Sequence, residues 1–130
     1  MSVQAISKGV KTSHRKLGVV AALVRNHTVA DALVILEHTP RASAIPVRKV
    51  IESARANADY NHNYKPDTLR ITEIVVSPGP SIKRYRPAAR GRALPFLKRS
   101  AHIRVVVDGD KREPKKPVAA KKAAVKAEEK

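Results

Sequence analysis

Residues 78–108 read PGPSIKRYRPAARGRALPFLKRSAHIRVVVD. Between Glu73 and Asp108 the chain has no acidic residue and eight basic ones: Lys83, Arg84, Arg86, Arg90, Arg92, Lys98, Arg99 and Arg104. Unbalanced cations repel one another, so an isolated fold gains nothing from them. Such a stretch is made to meet a polyanion, and arginines spaced along a whole arm suit nucleic acid. The two halves, about 81–86 and about 96–107, are extended in character. Pro87, Gly91 and Pro95 lie between them and disfavour a helix. The expectation is a long β-hairpin over about 78–107 with its tip near Arg90-Gly91-Arg92. With about a dozen residues per side at roughly 3.3 Å each, it would reach on the order of 40 Å. It has too few apolar side chains to bury itself, so its outer part should be ordered only against a partner.

Charge elsewhere is segregated too. The 130 residues carry 27 Lys+Arg against 11 Asp+Glu, a formal net charge of +16. Residues 1–27 hold five cations and no acid, while residues 28–73 balance six cations with six acids. A neutral body is therefore flanked by a cationic lead, the cationic arm and a mixed tail. With no cysteine, disulfides and thiolate chemistry are excluded. The opening residues lack the pattern of a secretory signal, and the apolar run Val19–Val24 is too short to span a bilayer. A cytoplasmic or organellar interior is expected, with no membrane and no homo-oligomer.

Periodicity places the body's elements. Residues 3–11 alternate as a strand. Ser13 is positioned to cap a helix whose Leu17, Val20, Ala21 and Val24 share one face. Thr28 caps a second helix with Val29, Ala32, Leu33 and Leu36 inward. Thr39-Pro40 has the form of an N-cap and first-turn proline for a third helix running to about Asn61. Pro46 conflicts with that start. Either the helix bends there or it begins near Ala44, and the bend is the expected form. Asn61–Pro66 is a loop, and Leu69–Val76 a half-buried strand. The fold class is α+β, with residues 1–110 as one domain and 111–130 as a basic tail of Lys, Ala, Pro and Glu. Ala119–Lys130 could form a transient helix.

Candidate contacts follow from chemistry. Arginine's planar fork donates paired hydrogen bonds to phosphate. Tyr85 and Phe96, set among the cations, could stack on bases or pack within the hairpin. Lys8, Lys11, Ser13, Arg15 and Lys16 gather at a helix start, which is an anion-binding end. The five histidines have no metal-ligand spacing, and no paired carboxylates or glycine-rich nucleotide loop occur. No catalytic residue, metal or cofactor is expected. A helix-turn-helix around Asn26-His27 is disfavoured, since its second helix carries Asp31 and Glu37 with no cation before Arg41.

Ser13-His14-Arg15-Lys16, Thr28–Leu33, Ser53–Ala58, Gly79–Arg84, Arg90–Ala93 and Lys98–Ile103 together resemble the bacterial-type L22 family of large-subunit ribosomal proteins. The resemblance covers about residues 5–108, and its Gly79–Val107 block is the specific part. It implies three helices packed on a small three-stranded antiparallel sheet with a long protruding β-hairpin. It also implies binding to large-subunit (23S-type) rRNA, a role in subunit assembly, neighbouring ribosomal proteins as partners, and transient contact with the nascent polypeptide. Carried onto this chain, the implied rRNA contacts are Lys83, Arg84, Arg86, Lys98, Arg99 and His102 in the hairpin and Arg15, Lys16 and Asn57 in the body. Lys8, Lys11, Ser13, Tyr85 and Arg104 join them from the reading of the residues. Ala88, Ala89, Arg90, Gly91 and Arg92 would form the tip at the exit-tunnel wall. The Lys-Ala tail lies outside the resemblance. A DNA-compacting protein is the alternative that the tail suggests, but its charge should lie in tails or on one helix face rather than in an internal extended arm. An RNA-modifying enzyme would need a catalytic group or cofactor pocket that the sequence does not show.

Overall fold

The computed structural model of the chain describes residues 2–112. Its elements are β1 (Val3–Val10), α1 (His14–Leu23), α2 (Val29–His38), α3 (Ala44–His62), β2 (Arg70–Pro78), β3 (Ile82–Pro87), β4 (Ala93–Lys98) and β5 (Ala101–Asp108). The last strand in sequence is the middle one in space: β1, β5 and β2 form an antiparallel sheet in that order. Alternation explains why β5 takes the centre. Ala101, Ile103, Val105 and Val107 are all buried on one face, while Arg104 and Asp108 point to solvent. Val3 and Ala5 extend this inner face on β1.

On β2, Ile71 and Ile74 are both buried although three residues apart. A register shift between Ile71 and Glu73 adds a residue on that strand and restores the parity. The helices cover the inner face: α3 lies on β1 and β5, α1 on β2, and α2 on α3. Leu17, Val20, Ala21 and Val24 form the buried stripe of α1, as the spacing requires. On α2, Val29, Ala32 and Leu36 do the same. Thr28 opens α2 as expected: its Oγ1 accepts from the Asp31 backbone N–H at 3.2 Å and donates to Asp31 Oδ2 at 2.7 Å.

The third helix differs from the expectation. It starts at Ala44, after a turn at Ala42-Ser43 in which the Ala44 N–H donates to the Arg41 carbonyl at 2.9 Å, so Pro46 falls near the helix start and not inside it. Pro46 sits in the first turn, where its missing N–H would have had no helical acceptor. Thr39 closes α2 instead of opening α3, its hydroxyl donating to the Ile35 carbonyl at 2.6 Å. At the other end Asn63 adopts a left-handed conformation (φ 53°) and stops the helix. Tyr64, just beyond, is 1% exposed and belongs to the core, although the sequence reads as loop there. Lys111 bridges Tyr64, and Arg112 pairs with Asp59 at 3.0 Å, so the chain stays fastened to the body through those residues. The remainder of the tail, with its expected Ala119–Lys130 helix, lies outside the described residues. Among the described residues no helix is long and apolar enough to cross a membrane.

Candidate nucleic-acid interface

β3 and β4 leave the body as a separate two-stranded ribbon, paired from Ile82↔Lys98 to Pro87↔Ala93. Opposite residues share a face in such a ladder. One face therefore carries Ile82, Arg84, Arg86, Leu94, Phe96 and Lys98. The other carries Lys83, Tyr85, Pro87, Ala93, Pro95 and Leu97. Every residue of both strands is exposed, so the ribbon has no core of its own. Ten residues per side beyond the sheet reach roughly 30 Å, somewhat less than expected, because β5 from Ala101 onward is body rather than arm. The Arg86 guanidinium lies 5.0 Å from the Phe96 ring centroid, so Phe96 takes part in packing within the ribbon. Tyr85 is 73% exposed and its ring is open to a stacking partner.

At the tip, Arg90 (φ 59°) and Gly91 (φ 68°) are consecutive left-handed residues inside a short turn, Ala89–Gly91. Such a pair reverses the chain tightly, and glycine takes the second position without penalty. The Ala88 N–H donates to the Arg92 carbonyl at 2.8 Å and closes the loop. Ala89, Arg90, Gly91 and Arg92 are exposed and Ala88 is half-buried.

The ribbon joins the sheet at a pinch. Gly79 N–H donates to the Ser100 carbonyl at 2.9 Å, and the Ser100 hydroxyl donates to the Pro80 carbonyl at 2.6 Å. A Cβ on Gly79 would lie 2.7 Å from Ser100 Oγ and 3.2 Å from its carbonyl carbon, so any larger residue there forces Ser100 to shift. Beside the pinch, a cleft of about 410 Å³ opens between ribbon and body, lined by Lys11, Thr12, Ser13, Lys16, Ser43 and Arg99, with Ala42 and Leu97. It brings the N-terminal basic set and the base of the arm together, which the sequence could list but not join. Ser13 takes the N-cap place of α1, but its side chain makes no cap hydrogen bond.

The cations divide by whether an acid holds them. Arg48 is gripped by Glu52 at 2.8 Å and faces Glu37 at 3.8 Å. The Glu52 hydrogen bond, then the Glu37 charge, raise its pKa above the usual arginine value. Arg104 pairs with Glu73 across the sheet at 3.0 Å, so this expected contact is already neutralised within the protein. By contrast Lys83, Arg84, Arg86, Arg90, Arg92, Lys98 and Arg99 have no acidic partner among the described residues.

The remaining candidates are dispersed. His102 sits in the body sheet rather than on the ribbon, and its Nδ1 accepts the Gly9 N–H at 3.0 Å where β1 shifts register. That bond leaves Nε2 as the ring's other hydrogen-bonding atom. Lys8 lies near His102 and Arg104 along a shallow depression on the outer side of the sheet. Arg15 is exposed in the first turn of α1. Asn57 is half-buried on α3, about 20 Å along the helix from Ala44 at roughly 1.5 Å per residue, and so stands apart from the cleft. Ser43 escaped the sequence reading, which had placed it inside the third helix. Among the described residues, no group of three His, Asp or Glu side chains stands together as a metal site.

An α+β body bearing an acid-free, uncored cationic ribbon has the build of a ribosomal protein. Comparison with known families agrees: the model for ribosomal protein L22p/L17e matches residues 5–108. The large ribosomal subunit protein uL22 of Herpetosiphon aurantiacus is 45% identical over 108 residues, covering 83% of this chain and 96% of that protein. The uL22 of Clostridioides difficile is 46% identical over 107 residues, covering 82% and 96%. The chain belongs to the L22p/L17e family, which consists of ribosomal proteins and not enzymes.

Proposed function

We propose that the chain is a structural constituent of the large ribosomal subunit, that it binds large-subunit rRNA and supports assembly, and that its ribbon tip lines the nascent-peptide exit tunnel. The observation that carries this is the ribbon: seven cations, no acid and no buried side chain on β3 or β4. Such a ribbon has no core of its own, but it can thread between RNA strands whose phosphates neutralise it. Its relatives, large ribosomal subunit proteins by name, support the same setting. Neighbouring subunit proteins, and the growing polypeptide at Ala88–Arg92, are the further partners. The bacterial-type cytoplasm, within the large subunit, is the location that follows.

The test is a photoreactive residue in place of Arg90 in living cells. Crosslinks to large-subunit rRNA and nascent chains are expected. Crosslinks to DNA, or to nothing on the ribosome, would overturn the reading.

A further inference from the structure

On the outer face of the sheet, one side chain holds a neighbouring backbone. β1 and β5 run in register from Val3↔Val107 to Ser7↔Ile103 and resume at Val10↔Ala101, so Lys8 and Gly9 together stand opposite His102 alone. The extra residue makes a β-bulge, and Gly9 absorbs it in the left-handed region at φ 71°. The bulge resets the alternation: Val10 turns inward to pack against the core, while Lys8 stays exposed. The chain then turns at once, the Thr12 N–H donating to the Val10 carbonyl at 2.7 Å, and α1 begins after Ser13. Whatever fixes the bulge therefore fixes the direction in which the cationic lead, residues 8–16, leaves the sheet. Gly9 has no opposite residue in the β5 ladder, and its N–H donates to the Nδ1 of His102, 93 residues away in sequence, at 3.0 Å. His102 belongs to the middle strand, which β1 and β2 hold from both sides, with Ser77 of β2 opposite it. The ring is thus mounted on the best-supported strand and reaches to the edge one.

We propose that His102 is a positioning residue: its ring locks the β1 bulge through Gly9, and the lock aims the cationic lead, without the ring itself touching RNA. This rests on the RNA-binding reading above and departs from the expectation that His102 is a direct rRNA contact. A bulge interrupts the ladder that would otherwise hold an edge strand, so a side-chain acceptor there selects one backbone path among several. Nδ1 accepts only while it carries no proton, so the neutral ring keeps its proton on Nε2. Lys8 and Arg104, the cations that share the depression with the ring, cannot replace it, because neither side chain has an acceptor. Two amides separate the two roles. Asparagine places an acceptor oxygen about where Nδ1 stands, and glutamine places its amide about where Nε2 stands. Asparagine can therefore restore a lock on Gly9, and glutamine a contact made outward through Nε2.

The experiment compares the full-length wild type with His102→Asn, His102→Gln and His102→Ala, by amide exchange at Gly9 in NMR spectra and by binding to large-subunit rRNA across a salt series. In the wild type the neutral ring should show a bare Nδ1 and a protonated Nε2; the opposite tautomer overturns the lock with no variant needed. His102→Asn should keep both Gly9 exchange and rRNA binding near the wild type. His102→Gln and His102→Ala should speed Gly9 exchange about two- to tenfold, the worth of one hydrogen bond. Their slope of log affinity against log salt should shrink by about 0.7–0.9 for each lead cation that loses its phosphate. Adding Lys8→Gln and Lys11→Gln should then cost His102→Gln less slope than it costs the wild type, because cations already misplaced have less to lose. Rescue of rRNA binding by glutamine and not by asparagine would make the ring an RNA contact and overturn the positioning role. Faster Gly9 exchange with an unchanged slope would overturn it too. Equal Gly9 exchange in all four proteins, with rRNA preference intact, refutes the lock alone. A wild type with no preference for large-subunit rRNA refutes the reading beneath, and the positioning role with it.

Discussion

Replacing Arg84 and Arg86 together with glutamine tests whether placement or total charge drives binding. Both side chains lie on one face of β3, exposed and without an acidic partner. If each meets one phosphate, each contact releases condensed counterions, and the slope of log affinity against log salt should shrink by about 0.7–0.9 per contact. The double variant should thus lose about 1.4–1.8 of slope. Between about 50 and 200 mM salt, the wild type would then lose roughly tenfold more affinity for large-subunit rRNA than the variant. The matched control is Arg48→Gln with Arg112→Gln. It removes the same two charges, but from sites held by Glu37, Glu52 and Asp59. Its slope should stay near the wild-type value. Filter binding to large-subunit rRNA across a salt series reads both. Equal slope changes in the two double variants would refute the reasoning, because total charge would then account for everything.

Three further outcomes are expected. Gly79→Ala drives a Cβ against the Ser100 backbone at 3.2 Å, and should lower stability by about 1–3 kcal/mol in a urea melt; an unchanged midpoint would mean the pinch is slack. Ile103→Ala empties a fully buried position of the central strand and should cost about 2–5 kcal/mol in the same assay, and a loss under about 1 kcal/mol would contradict the assigned core. Arg90→Ala with Arg92→Ala should leave that melt and subunit assembly intact, since both side chains are exposed at the tip, while altering peptide-dependent pausing in ribosome profiling; identical profiles would remove the tip from the tunnel wall.

Where the sequence was readable, a single local rule decided the outcome. Leu17, Val20, Ala21 and Val24 could only bury together on a helix, and they do. The acid-free stretch likewise announced its own extended, uncored form. The third helix went astray because Thr39-Pro40 satisfies a local pattern that serves either end of a helix. The Thr39 hydroxyl turned back to Ile35, and Pro46 was the better marker of the start. Tyr64 read as loop because its burial depends on Lys111 and its neighbours returning from far along the chain. Arg104 looked like its neighbours in composition, but strand register set it beside Glu73. The cleft was the least legible feature. Residues 11–16, 43 and 97–99 meet only after the fold has formed, and no spacing in the chain foretells it.

The bare ribbon has one more consequence, for the protein that has not yet found RNA. A protease that cuts after lysine or arginine meets seven exposed residues of that kind from Lys83 to Arg99, and six of the bonds after them are open to it, since Pro87 blocks the one after Arg86. Bound between RNA strands, the same bonds would be shut away. Brief trypsin treatment therefore turns the ribbon into an occupancy gauge: clipped chains count the orphan copies, and intact ones the copies already in place.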